Sequence, residues 1–290
     1  MAELFIELFS EEIPSRLQLD ARKKIKQILE EKLSKKEITF NSSQSFSTPT
    51  RLVFLIEGIP EKIEQKGKVI RGPKIEAPEL ALAGFIKSNN LDKSDIYKQK
   101  TDKGEFYFAM SKSKTIDILK ELQAVIPETL LSHTWKKSMK WSTHDLNWGR
   151  PLKSIAALFN GKIISFNFFH LQSNNLIFIE GIKDQNAKKI NSFKSYINIL
   201  NSQDIILDQE KRKNLILNKM NKICSTKKLK NNFNPRLVEE VVNLVEKPNI
   251  ILCKFDETYL KVPEEILIVT MQQHQKYFPL FDNNNKLTNL

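Results

Sequence analysis

The sequence predicts an α+β protein in which mixed and antiparallel sheets pack against helices, and three observations predict it. Residues 2–9 alternate, with Leu4, Ile6 and Leu8 on one face and Glu3, Phe5, Glu7 and Phe9 on the other, as in a half-buried strand. Leu17, Ala21, Ile25, Ile28, Leu29 and Leu33 then fall at helical spacing. Finally, Ile155 to Phe169 reads as two apolar strands about Asn160-Gly161, a dipeptide suited to a tight hairpin.

Composition bounds the function. The chain has 290 residues and 40% hydrophobic content, enough for one large domain or two ordinary ones. Its formal net charge of +12 suits a polyanionic partner such as nucleic acid or an anionic membrane surface. Heavy use of Lys, Asn and Ile throughout also fits simple compositional drift. Cys224 and Cys253 form no C-x-x-C pair, so neither a zinc site nor a disulfide framework is indicated, which fits a reducing cytoplasm. No apolar run approaches the roughly 20 residues of a membrane span, and the start Met1-Ala2-Glu3-Leu4-Phe5 lacks the basic region of a signal peptide. A soluble, cytoplasmic protein without a membrane partner is expected.

Taken in order, Ser10-Glu11-Glu12-Ile13-Pro14 stops the first strand, and Ser15 with Gln18 reads as a capping box for the helix that follows. Phe46 to Gly58 is a turn entering a strand, and Arg71-Gly72-Pro73 is by itself a turn carrying a charge. Pro78 to Asn89 suggests a short helix, and Lys103-Gly104-Glu105 a turn into the strand Phe106 to Ala109. Ile116 to Leu131 is a helix with a kink or break expected near Pro127. A domain boundary is placed near residue 115, giving an N-terminal α/β subdomain (1–115) and an α+β subdomain (116–290).

All three tryptophans lie within fourteen residues, in Trp135-Lys136-Lys137-Ser138-Met139-Lys140-Trp141 and Trp148-Gly149-Arg150-Pro151. Rings beside cations suit RNA, since rings stack on unpaired bases while Lys136, Lys137, Lys140 and Arg150 neutralise phosphates. The competing reading makes Trp141 and Trp148 core anchors. Farther on, Asp208 is an N-cap for a helix from about Gln209 to Ser225, with Leu215, Ile216, Met220 and Ile223 inward. Its Lys211, Arg212, Lys213, Lys219 and Lys222, continued by Lys227, Lys228 and Lys230, form the densest basic run, either a phosphate-attracting or a solvated face. Asn234-Pro235 caps a further helix, but the long, glycine-free linker excludes a helix-turn-helix.

Near the end, Pro263 opens a short helix, and Lys276 to Phe281 reads as a strand. Gln272, Gln273, His274, Gln275 and Lys276 crowd the junction between them. A hairpin turn at Phe281 to Leu287 follows so near the last residue that a longer subunit is expected. No P-loop, dinucleotide-binding pattern, His-Glu-x-x-His or nucleophile elbow is present. His274 alone has polar neighbours suited to acid–base work, and it reads first as a hydrogen-bonded structural residue. No catalytic residue and no metal ligand is assigned.

Several ordered motifs carry a resemblance. Glu11-Glu12-Ile13-Pro14, Thr48-Pro49-Thr50-Arg51-Leu52, Arg71-Gly72-Pro73, the Lys140-Trp141 and Arg150-Pro151 segments, Val245-Glu246-Lys247-Pro248, Val262-Pro263-Glu264-Glu265 and Met271 to Pro279 resemble the β-subunit of bacterial heterotetrameric glycyl-tRNA synthetase. The resemblance covers nearly the whole chain. It implies an aminoacyl-tRNA synthetase, a ligase of protein biosynthesis that esterifies tRNA-Gly with glycine at the expense of ATP. It further implies that ATP, Mg²⁺ and glycine bind a separate α-subunit, while the β-subunit supplies tRNA binding and α2β2 assembly. The body is expected to be like an editing domain of the B3/B4 type. Arg71, Lys136, Lys137, Lys140, Trp141 and Arg150 are the candidate RNA contacts, and Gln272, His274, Gln275 and Lys276 the motif's polar cluster.

Two departures stand out. Lys140 replaces the family's usual Arg, losing a bidentate fork, and Ile179-Glu180-Gly181-Ile182 replaces an expected Gly-His-Arg-Phe signature. Two rival readings remain: a hydrolytic editing domain using His274 or Thr270, and a structural platform with non-specific RNA affinity.

Overall fold

The computed structural model describes residues 2–65, 67–102, 104–111, 113–179 and 187–289. In chain order, β1 (Ala2–Ser10), α1 (Ser15–Lys35), β2 (Ser42–Ser47) and β3 (Arg51–Ile59) come first. Then follow β4 (Lys62–Gln65), β5 (Val69–Lys74), α2 (Glu79–Ser88), β6 (Ile96–Thr101), β7 (Gly104–Met110) and β8 (Lys114–Asp117). The rest comprises α3 (Ile118–Ser132), β9 (Leu152–Phe159), β10 (Lys162–Ile163), α4 (Phe193–Asn201), α5 (Gln209–Lys227), α6 (Pro235–Val242) and α7 (Glu264–Val269). Several two-residue strands join them. The architecture is α+β, built on antiparallel strand pairs. Pro60–Glu121 forms one compact unit and the remaining described chain a second; the boundary expected near residue 115 falls within β8.

The larger unit is built on a five-stranded antiparallel sheet of order β10-β9-β1-β3-β2. β1 sits between β3 and β9, with Leu4 opposite both Ile56 and Phe159. Both edges of β1 are therefore paired, and on its two faces Leu4, Phe5, Ile6, Leu8 and Phe9 are all buried, as is Glu7. The half-buried strand expected from alternation is a central strand buried on both faces, and Arg51 lets its polar position Glu7 be buried. α1 packs along β2 and β3. Phe5, Val53, Ala156 and Leu158 meet Tyr196, Leu200, Ile205 and Leu207 in one core cluster around α4. Asn160 and Gly161 take positive φ of 47° and 76° in the β9–β10 turn, the backbone that Asn-Gly favours.

Local departures have physical reasons. Pro14, not Ser15, precedes the first turn of α1, and no side chain caps it. Gln18 instead donates to the Ile13 carbonyl at 2.8 Å and the Asn243 carbonyl at 2.7 Å, so tertiary structure claims the residue that a capping box would use. α3 runs through Pro127 without a break, its buried Leu122, Val125, Ile126 and Leu130 outweighing the lost backbone bond. β10 ends after two residues. Ser173 then ties down the outgoing chain, its hydroxyl accepting from the Phe166 amide at 2.8 Å and donating to the Ile164 carbonyl at 2.6 Å.

The Pro60–Glu121 unit contains a β5-β7-β6 sheet, a β4–β8 pair and α2. A Cβ at Gly72 would lie 2.8 Å from the Phe85 ring, so the glycine of Arg71-Gly72-Pro73 makes room for α2. At the other end of the chain, α5 and α6 join through Ile216, Met220, Val238 and Val242, with Phe278 against them. Asp208 and Asn234 accept first-turn amides as expected. α7 continues into a wider turn at Thr270–Gln275, and Lys276 takes φ 60°. The strand expected over residues 276–281 shortens to Leu280–Phe281, because a left-handed Lys276 and an N–H-less Pro279 cannot extend a ladder. Among the described residues, no helix is long and apolar enough to cross a membrane.

Candidate nucleic-acid interface

The Thr48-Pro49-Thr50-Arg51-Leu52 motif turns inward, all five of its residues being buried. Arg51 of Thr48-Pro49-Thr50-Arg51-Leu52 is fully buried. Its guanidinium lies 3.0 Å from Glu7 Oε1, donates to the Phe178 carbonyl at 2.7 Å and approaches Glu246 at 3.6 Å. Tyr196 donates its hydroxyl to Glu7 at 2.7 Å, and Thr48 and Thr50 donate theirs to Glu246. Burial alone would lower the Arg51 pKa, but Glu7, then Tyr196 and Glu246, raise it; burial raises the Glu7 pKa, with Arg51 and the Tyr196 hydroxyl opposing it. These residues join the β1 and β3 strands to the segment after α6.

Arg212 corrects the reading of the basic run on α5. It is fully buried and donates to the carbonyls of Val242, Ile206, Leu207 and Ser47 at 2.6–3.1 Å. Burial lowers its pKa to about 10. Leu215 and Ile223, expected inward, are only half-buried; Arg212 and Cys224 are among the buried residues there.

The tryptophan segment divides between core and surface. Trp148 is 1% exposed and Trp135 8%, their rings meeting edge to face at 5.1 Å. His133 meets Trp135 in the same way at 4.8 Å. Neither indole N–H nor either His133 nitrogen has a hydrogen-bond partner among the described residues; the T-shaped contacts turn ring edges toward ring faces. Burial lowers the His133 pKa to about 4, so the imidazole is neutral at physiological pH. A Cβ at Gly149 would sit 2.5 Å from the Trp135 ring, which explains the glycine after Trp148. These rings line a cavity of about 300 Å³ with Leu130, Phe168 and Phe169.

Outside this core, Met139 and Trp148 exchange backbone bonds at 2.8 and 3.2 Å, closing a loop over residues 140–147. Trp141 is on that loop and half-buried. It stands edge-on to His144 at 6.4 Å and to His170 at 5.8 Å, while the two imidazoles stack at 3.7 Å and 7°. Desolvation of its ring, then the neighbouring His144, lower the His170 pKa against a hydrogen bond with the Leu152 backbone. Lys136, 65% exposed, and Lys140, 58% exposed, lie 3.5 and 3.4 Å from Asp20 and Asp145. Such exposed pairs are weak and exchangeable. Lys137 is exposed as well, whereas Arg150 is half-buried and donates to the Gly149 carbonyl at 2.7 Å.

Lys136, Lys137 and Lys140 are thus exposed, with Lys140 and the half-buried Trp141 on the loop, while Trp135 and Trp148 turn inward. Arg71 belongs to the Pro60–Glu121 unit, where its guanidinium lies 3.9 Å over the Phe106 ring. Within the late motif, Gln272 accepts from Asn234 at 3.3 Å, and Lys276 reaches Glu240 at 3.0 Å. Both hold the wide turn to α6. His274 and Gln275 are exposed, and the Thr270 hydroxyl is engaged with the Ile266 carbonyl at 2.8 Å. Among the described residues, no group of three or more His, Cys, Asp or Glu could hold a metal ion. Sequence reasoning missed Glu7, Tyr196 and Glu246, which are brought to Arg51 from distant segments. It also missed His144 and His170, which no spacing rule connects. Of the departure at 179–182, Ile179 packs against the α4 core, and residues 180–182 lie outside the described residues.

A family model described as glycyl-tRNA synthetase beta subunit matches residues 4–290. The glycine–tRNA ligase beta subunit of Rickettsia peacockii (strain Rustic) is 35% identical over 288 residues, covering 99% of this chain and 43% of the relative. That of Rickettsia typhi (strain ATCC VR-144 / Wilmington) is 35% identical over 282 residues, 97% of this chain and 42% of the relative. That of Rickettsia prowazekii (strain Madrid E) is 34% identical over 284 residues, 98% and 43% respectively. The chain spans about two-fifths of the length of the curated relatives it matches.

Proposed function

The chain belongs to the glycyl-tRNA synthetase β-subunit family, and from that premise we propose that it contributes tRNA binding and subunit assembly to ATP-dependent glycylation of tRNA-Gly. Its own residues perform no bond-making step. ATP, Mg²⁺ and glycine are held by the α-subunit, with which it forms α2β2 in the cytoplasm. The body serves as an editing-domain-like scaffold without hydrolysis. The observation that carries the reading is the segment outside the Trp135–Trp148 core, where Lys136, Lys137 and Lys140 are exposed and lie within five residues of Trp141 in the chain. Mobile ammonium groups can trade their weak surface partners for phosphates, and the adjacent indole offers an edge or face to a base. Arg71, stacked on Phe106, keeps a cation in a fixed orientation on the Pro60–Glu121 unit and is proposed as a further phosphate contact.

A salt titration of tRNA-Gly binding tests the proposal. Replacing Lys136, Lys137 and Lys140 with Gln should weaken binding at low salt and reduce the log–log salt slope by roughly 2 to 3. An unchanged slope would refute a phosphate role for this loop.

A further inference from the structure

We propose that the turn at Phe169-His170, together with His144 and Trp141, is a stacking platform for an unpaired base of single-stranded RNA. The inference deepens the proposed tRNA-binding reading and rests on it. Asn167–Phe168 and Leu171–Gln172 pair as a small hairpin, so Phe169 and His170 are its two turn residues. Phe169 takes φ 53°, the left-handed backbone that glycine accepts freely and a bulky aromatic residue does not. A turn of this kind favours glycine at its first central position. Here that position carries a ring, and the residue is 50% exposed.

Part of the residue lines the cavity beside Trp135 and Trp148, and half of it reaches solvent. Its neighbours give it a use. His170, the second turn residue, stacks on His144 at 3.7 Å with the planes 7° apart. Trp141 closes on both imidazoles edge-on, and Phe169 meets Phe168 edge-to-face at 5.2 Å. The hydrogen bond between His170 and the Leu152 backbone orients the imidazole. Aromatic rings are thus set at the surface in advance, one on strained backbone, and Lys140 precedes Trp141 in the chain with its side chain 58% exposed. Planar rings next to an exchangeable cation match a base and its phosphate. The cation argues for a polyanionic strand over an apolar protein anchor, since the chain carries +12 overall.

Phe169→Gly separates the ring from the fold, because it removes the stacking face while giving the turn its preferred residue. The assay is fluorescence anisotropy of the 290-residue chain with a heptauridine oligoribonucleotide and with a blunt RNA duplex, alongside thermal melting. The expected result is a loss of single-strand affinity of about 5- to 100-fold in Phe169→Gly and in His170→Ala, with duplex affinity unchanged and Phe169→Gly melting no lower than the parent. Unchanged single-strand affinity, an equal loss on duplex, or a lower melting temperature in Phe169→Gly would overturn the platform. Variants that keep RNA affinity but fail to assemble with the α-subunit would assign the rings to a protein contact and overturn it too. If the parent chain bound neither RNA, the tRNA-binding reading itself would fail.

Discussion

Acid should loosen the larger unit through His133. The imidazole is 7% exposed, packed against Trp135, and its pKa is lowered from the ordinary 6.5 to about 4, chiefly by burial and only partly offset by Asp20. Below pH 6.5 the unfolded chain takes up this proton and the folded chain does not, so stability present above that value is lost as pH falls toward 4. The separation corresponds to about 3 kcal/mol in all, of which about 2 kcal/mol falls between pH 7 and pH 5. His133→Phe keeps an aromatic ring and removes the titration. Urea unfolding followed by tryptophan fluorescence, at pH 7 and pH 5, should show the parent losing about 2 kcal/mol more than the variant across this interval. An equal pH dependence in both proteins would refute the buried neutral imidazole.

Three further substitutions probe packing and charge within the larger unit. Gly149→Ala places a methyl 2.5 Å from the Trp135 ring, a ring held in turn by His133 and Trp148; the clash should cost about 1–3 kcal/mol and be visible as a lower melting temperature. Arg51→Met leaves the buried Glu7 without its cation and should cost about 3–5 kcal/mol in denaturant unfolding. Adding Glu7→Gln should recover at least about 1 kcal/mol, the sign of a charge left unpaired by the first change.

Local pattern carried much of this fold. The amphipathic stripe of α1, the Asp208 and Asn234 caps and the Asn160-Gly161 turn each rest on neighbours within a few residues, where the chain's chemistry is self-contained. What failed to show was long-range partnership. Alternation along β1 gave a half-buried strand because nothing near Glu7 announces Arg51, Tyr196 and their shared burial. Gln18 read as half of a capping box, yet it answers the Asn243 carbonyl. Arg212 looked like one cation in a basic run until four carbonyls, two of them distant in the chain, surrounded it.

The interface was legible in the same uneven way. Clustering of Trp135, Trp141 and Trp148 with lysines drew attention to the loop, but only packing distinguishes the two buried indoles from Trp141. Chance spacing conceals the His144–His170 stack, since those rings meet through a hairpin that the sequence does not announce. The late Gln272 to Lys276 cluster shows the converse: its density suggested chemistry, and Gln272 and Lys276 instead fasten a wide turn to α6.

The most direct test of the account is binding of this chain to tRNA-Gly and to an unrelated tRNA, each at two salt concentrations. Phosphate contacts weaken as salt rises, whereas base contacts do so far less. The account predicts that both affinities fall with salt while a preference for tRNA-Gly persists at the higher concentration. Equal binding that fades with salt would contradict it, leaving only charge attraction in this chain.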